Sequence, residues 1–345
     1  MTDTPDIAVF GAGSWGTALA IQLARGGRAA RLWGRAEDEP ERLARERRNQ
    51  RYLPDAEFPA ALVIEADFQR ALASRDLLLV VPSHAFRQVL TQVRDSLRPE
   101  HRVAWATKGF EQDTGMLPHQ VARDVLGNEP PLAVLSGPTF AREVGAGLPT
   151  AMTVAATHPE FAAAMAERLA GPTFRTYTSQ DLAGVEVGGA VKNVLAIAAG
   201  LSDGLGYGAN TRIALISRGL AEMCRLGVAL GAQLETFMGL SGMGDLVLTC
   251  TDDQSRNRRM GLGLAAGRAV DEVAAEIGQV VEGVYAARAV HGVAQKLGVE
   301  MPICEQVYGI LYSELPVSDA VTELLNRDLR EEADPAWTPG PSADR

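Results

Sequence analysis

In the first half of the chain, short and nearly continuous apolar runs fall at residues 7–10, 29–33, 77–81, 103–107 and 132–136, separated by longer stretches whose apolar positions follow helical spacing. Strands buried on both faces read this way, since strict alternation survives only where one face meets water. Strands alternating with helices predict parallel pairing through helical crossovers, so the fold class is α/β with a doubly wound sheet. From about Asp181 onward, segments rich in Ala, Leu, Gly and Glu replace the strand-like runs, as at 210–230 and 270–297, and predict an all-helical second domain. Asn210 offers a side-chain acceptor as N-cap of the first of these. The expected division is a sheet domain over 1–182, a helical domain over 183–332, and a Pro-rich disordered tail over 333–345.

Composition narrows the function classes. With 345 residues, 46% hydrophobic and 22% charged, the chain can bury the cores of two ordinary domains. A net charge of −10 repels nucleic acid and anionic lipid, so an anionic substrate has to be held by local basic groups. The three cysteines, Cys224, Cys250 and Cys304, are odd in number and far apart, which argues against a disulfide framework or a zinc site and for a reducing cytoplasm. Residues 1–6 lack the basic and apolar stretches of a secretory signal. Apolar runs are short or interrupted by charge, as Lys192 interrupts the run after Gly188, so no membrane span is expected. The five histidines form no His-Glu-x-x-His pair, and neither a Walker loop nor a nucleophile elbow occurs, which leaves no metal and no hydrolase chemistry.

Directly after the first run stands Gly11-Ala12-Gly13-Ser14-Trp15-Gly16, followed by helix-forming Thr17-Ala18-Leu19-Ala20. Between a strand and a helix this is the Rossmann-type dinucleotide fingerprint: Gly11 permits the tight turn, Gly13 lets the backbone approach a pyrophosphate, and Gly16 allows close helix packing. Where an NAD-specific domain offers an acidic ribose ligand, about twenty residues on, the chain has Trp33-Gly34-Arg35 and no carboxylate before Glu37. Arg35 suits a ribose 2′-phosphate, while an exposed loop arginine is the plainer reading. The choice between NADP(H) and NAD(H) stays open.

Ligands of such sheets bind beyond the carboxyl ends of the strands, where the chain carries Pro82-Ser83-His84, Lys108-Gly109 and Gly137-Pro138-Thr139-Phe140-Ala141. Lys108 suits a phosphate or a substrate oxygen; His84 is expected in a loop without a catalytic role. Gly188-Gly189 inside a helical stretch costs about 1 kcal/mol per glycine against alanine, so a neighbour needs to approach that backbone. Lys192, one turn on among small apolar neighbours, fits a general base whose pKa desolvation lowers from about 10.4. Ser241-Gly242-Met243-Gly244-Asp245 is a glycine loop with one acid. Ser255-Arg256-Asn257-Arg258-Arg259 concentrates three arginines in five residues of an acidic chain and suits a phosphate.

Residues 11–20, Tyr52-Leu53-Pro54, Val81-Pro82-Ser83-His84, Thr107-Lys108-Gly109, 136–141, 188–193, 202–206, 255–258 and Val281-Glu282-Gly283 together resemble the bacterial NAD(P)-dependent glycerol-3-phosphate dehydrogenase family, over Ile7 to about Asn326. The resemblance implies hydride transfer between a nicotinamide cofactor and sn-glycerol 3-phosphate or dihydroxyacetone phosphate, serving phospholipid synthesis. It implies Lys192 as catalytic base, with Lys108, Gly137, Thr139, Asp245, Ser255, Arg256 and Asn257 also holding the substrate. Ser14, Trp15, Arg35, Ala141, Val280 and Glu282 fall on cofactor-contacting positions, with Lys108 and Arg256 touching both ligands. A homodimer through the helical half is a further implication. Two competitors are a two-domain reductase for a hydroxyacid and a cofactor-sensing module without turnover.

Overall fold

A computed structural model describes residues 6–326, so the expected tail lies outside the described residues. The chain divides into two compact units. The first takes in the chain up to Glu111 and Met116–Leu182; the second takes in Gln112–Gly115 and the chain from Ala183.

The first unit holds strands β1 (Ile7–Phe10), β2 (Ala30–Trp33), β3 (Arg48–Asn49), β4 (Leu53–Glu57), β5 (Leu62–Glu65), β6 (Asp76–Leu79), β7 (Arg102–Trp105), β8 (Leu132–Ser136), β9 (Thr150–Ala156) and β10 (Phe174–Ser179). Eight form one sheet in the order β10-β9-β8-β7-β6-β1-β2-β5, and β3 and β4 make a separate antiparallel ribbon. All neighbours in the sheet are parallel except β8 and β9. The order reverses between β1 and β6, the switch point at which such sheets open toward ligands.

Both faces of the sheet are buried, as the unbroken apolar runs require. Ile7, Val9, Leu32, Leu78, Ala133 and Leu135 share one core with Leu19 and Ile21 of the helix Ser14–Arg25 and Phe161 and Met165 of the helix Pro159–Leu169. The intervening Ala8, Phe10, Leu77, Leu79 and Trp105 are buried without belonging to that core, and Trp105 meets Phe86 of the helix Ser83–Arg94 edge-on at 5.6 Å. His84 therefore lies in the first turn of a helix and not in a loop.

Among its described residues the second unit is helical. Its central helix, Leu182–Gly204, is long and apolar enough to cross a membrane, which corrects the expectation that no run is. Of its most apolar window 94% is buried inside the protein, and Glu186 and Lys192 are buried with it. Around it run Ala209–Ala229, Asp245–Thr251, Arg256–Ala265, Glu282–Leu297 and Pro302–Tyr312. The helix Ala209–Ala229 is capped by Gly208 in an extended conformation, so Asn210 sits within the first turn and makes no cap. A boundary displaced by one or two residues is the usual error when a cap is read from side-chain type alone.

Candidate active site

Each unit holds its own group of candidate residues. In the first unit β1 ends at the glycine loop. Gly11 has a φ of +121°, and a Cβ there would stand 2.3 Å from the Val80 carbonyl oxygen; a Cβ on Gly16 would stand 1.9 Å from the Gly11 carbonyl oxygen. A side chain at either position breaks the turn. Gly13 has nothing within 4 Å of its Cβ position, so the backbone there is open to a ligand. Asn49 braces the loop from the ribbon: its amide donates to the Ala12 carbonyl and to Thr17 Oγ1, both at 2.9 Å. Ser14, Trp15 and Gly16 occupy the first helical turn, where amides lack acceptors within the helix. The Trp15 indole N–H is buried without a hydrogen-bond partner. An open backbone floor beneath a helix N-terminus is the cradle that a dinucleotide pyrophosphate fits.

Arg35 follows β2 with its side chain 66% exposed. Its guanidinium lies 3.8 Å from Glu37 and 3.7 Å from Asp38, and Asp38 accepts from the Arg35 backbone amide at 3.0 Å. Asp38 is thus engaged by the turn, while Arg35 and Glu37 both stand exposed at the end of β2. Lys108 follows β7 by three residues, half-buried. At the end of β8, a Cβ on Gly137 would stand 3.0 Å from Met152 Cα on the antiparallel β9 and 3.1 Å from the Ala151 carbonyl oxygen, a tight fit that favours glycine. Thr139 donates to the Gly137 carbonyl at 3.3 Å, and Ala141 opens the short helix Ala141–Ala146.

In the second unit Lys192 is 7% exposed, and Nζ donates to the carboxylate of Asp245 and to Thr249 Oγ1 at 3.1 Å. An apolar pocket was expected from sequence neighbours; an ion pair and a hydroxyl surround the amine instead, because Asp245 arrives from another helix. A π-helical turn, Leu240–Gly244, delivers it. That turn rests on Gly188: a Cβ there would stand 2.3 Å from the Ser241 carbonyl oxygen. The costly helical glycine is explained by this approach. The Thr249 hydroxyl in turn donates to the Asp245 carbonyl at 2.6 Å. Adjacent Cys250 is fully buried, and burial pushes its thiol up to about 12, leaving it un-ionised and inert.

Of the basic cluster, Ser255 caps the helix Arg256–Ala265, its Oγ accepting from the Arg258 amide at 3.2 Å. Arg256 donates through Nη1 to the Val280 carbonyl at 2.8 Å and to Gln279 at 3.4 Å. Asn257 donates to Asn193 Oδ1 and accepts from the Gly283 amide, both at 2.8 Å. One of its amide hydrogens is thereby committed to the protein. Arg258 is buried and paired with Asp203 and Asp253, so its guanidinium is committed to the protein. Val280 is exposed, and Glu282 opens the helix Glu282–Leu297 behind the N-cap Val281. Thr249 and Asn193 escaped notice as individual contributors; Thr249 lies one turn after Asp245, a spacing that puts both on one helix face. Among the described residues no group of three His, Cys, Asp or Glu is placed to hold a metal.

Residues 6–162 match the model of the NAD-dependent glycerol-3-phosphate dehydrogenase N-terminus and residues 181–322 that of its C-terminus. The chain belongs to the NAD-dependent glycerol-3-phosphate dehydrogenase family. A glycerol-3-phosphate dehydrogenase [NAD(P)+] of Aeromonas salmonicida is 58% identical over 334 residues, 96% of this chain and 100% of that one. The solved glycerol-3-phosphate dehydrogenase of Coxiella burnetii superposes with a TM-score of 0.90 at 48% identity, covering 93% of this chain and 98% of that one. A ketopantoate reductase from Ralstonia eutropha, at 14% identity and a TM-score of 0.58, covers 91% of this chain and 98% of that one and shares the fold alone. Membership in the dehydrogenase family separates this chain from the hydroxyacid competitor.

Proposed function

We propose that the chain is an NAD(P)-dependent sn-glycerol-3-phosphate dehydrogenase acting in the cytoplasm on a small phosphorylated substrate. The observation that carries this reading is the buried Lys192, held by Asp245 and Thr249 in the same unit as Ser255, Arg256 and Asn257. A bound nicotinamide cofactor supplies or accepts the hydride. In reduction, Lys192 gives a proton to the ketone oxygen of dihydroxyacetone phosphate as that oxygen becomes the alcohol of sn-glycerol 3-phosphate. In oxidation, the neutral amine takes the proton back. Asp245 and Thr249 fix the direction of Nζ, which matters because proton transfer requires hydrogen-bond reach.

The phosphate falls to Arg256, whose Nε and Nη2 lie outside its contacts with Val280 and Gln279, to the Ser255 hydroxyl, and to the remaining amide hydrogen of Asn257. Lys108, Gly137 and Thr139 complete substrate binding. Gly11, Gly13, Ser14, Trp15 and Gly16 hold the cofactor with Arg35, Ala141, Val280 and Glu282, and Lys108 and Arg256 reach both ligands. A homodimer and a supply of glycerol 3-phosphate to phospholipid synthesis belong to the same reading.

Lys192→Ala is the direct test of the assigned base. The variant should lose between about 10² and 10⁴ in kcat while retaining cofactor affinity by fluorescence titration. Turnover within a few-fold of the parent would remove Lys192 from the mechanism.

A further inference from the structure

The helix carrying Lys192 and the helix presenting residues 255–257 are locked together at a second place, about three turns beyond the lysine. Asp203 stands one residue before the end of Leu182–Gly204, its side chain 9% exposed. At 3.6 residues per turn, Lys192 and Asp203 lie on nearly the same face of that helix. The Asp203 carboxylate accepts from Arg258 Nη2 at 2.7 Å and twice from Arg212 Nη1 at 2.9 Å. Arg258 directly follows Asn257, its side chain is 10% exposed, and its amide donates to Ser255 Oγ.

The backbone is seated as closely as the side chain. A Cβ on Gly200 would stand 2.0 Å from the Arg258 carbonyl oxygen, and one on Gly261 would stand 2.1 Å from the Ile197 carbonyl oxygen. Two glycines let the helices touch, and Asp203 then fixes the azimuth of Arg258 and with it the direction in which Ser255, Arg256 and Asn257 emerge. The Asn193 contact with Asn257 holds the near end of the same pair.

We infer that Asp203 is a positioning residue for the phosphate site: through Arg258 it sets where the anion-binding turn at 255–257 stands relative to Lys192. The inference rests on the reading of that turn as the substrate phosphate site. A displacement of about 1 Å at a binding group can cost up to about 100-fold, so the pairing has room to matter.

Asp203→Asn removes one charge between two guanidinium groups and keeps the shape. The expected result is a KM for dihydroxyacetone phosphate raised between about 10- and 100-fold, with competitive inhibition by inorganic phosphate weakened by the same factor and the KM for NADPH, which Arg256 alone of this turn reaches, raised several-fold less. Arg258→Lys keeps the charge but loses the planar fork; it should move the same two constants in the same direction, and it serves as the test if Asp203→Asn does not fold. Binding of inorganic phosphate followed by calorimetry reads the same effect without turnover. Unchanged phosphate binding in a folded variant overturns the proposal, as does an equal loss of substrate and cofactor affinity accompanied by a lowered melting temperature. If the parent protein fails to reduce dihydroxyacetone phosphate, the functional reading fails by itself, and calorimetry still decides whether Asp203 governs an anion site.

Discussion

At the scale of single residues, the chain spends buried charge sparingly and at identifiable places. Lys192 is surrounded by apolar sequence neighbours, and only its contacts with Asp245 and Thr249 explain how an amine tolerates that depth. Sequence showed the lysine and the acid 53 positions apart, and the fold pairs them. Glu222, 1% exposed, is one comparable case outside the site. Its oxygens accept from the amides of Ile303 at 2.6 Å and Cys304 at 3.1 Å, which open the helix Pro302–Tyr312. Burial pushes its carboxyl up to about 7, against the pull of those two donors and of Arg225. The folded protein therefore holds this proton more tightly than the unfolded chain. Its contribution to stability is complete at pH below the ordinary carboxylate range and is lost as pH rises through about 7. Glu222→Gln titrates nothing at this position, so its melting temperature should vary less with pH than the parent's between about pH 5 and 8. Equal slopes for the two proteins would show that Glu222 does not titrate in that range.

At the scale of elements, the glycine loop and the central strands were legible because each carries a strong local signal. β1 and β8 fall on the expected residues, while β2, β6 and β7 differ from the expected runs by one or two at their ends. β5, β9 and β10 were not visible: β5 and β10 form the two edges of the sheet, and Phe174–Ser179 buries only Phe174, with polar or exposed side chains in place of an apolar run. The antiparallel pairing of β9 was hidden too, since strand direction leaves no mark in composition. The π-helical turn at Leu240–Gly244 was legible only as a glycine loop, yet it is the element that brings Asp245 to Lys192. Its seat on Gly188 makes a sharp prediction. Gly188→Ala puts a methyl where the Ser241 carbonyl stands and should lower kcat by about tenfold or more while KM for the cofactor stays near the parent value, measured by steady-state kinetics. A fully active variant would mean that the turn can shift without disturbing the pair.

At the scale of the whole molecule, the two units divide the chemistry. The first holds an open glycine loop at the switch point of the sheet, and the second holds the buried Lys192–Asp245 pair and a capped, basic helix start. The sequence signals for both halves were strong, and family membership joins them to one reaction. What no local pattern conveyed was the fate of the arginines: Arg256 keeps donors for an anion, while Arg258 is consumed by Asp203 and Asp253. The accessible Arg35, beside an acid already engaged by its own turn, leads us to expect that NADPH is used at least as well as NADH. The most direct measurement follows oxidation of the reduced cofactor by near-ultraviolet absorbance, with dihydroxyacetone phosphate and with ketopantoate as alternative substrates. Rapid oxidation with dihydroxyacetone phosphate alone, yielding sn-glycerol 3-phosphate, is the predicted result; no oxidation with it by a protein that binds NADPH would contradict the account.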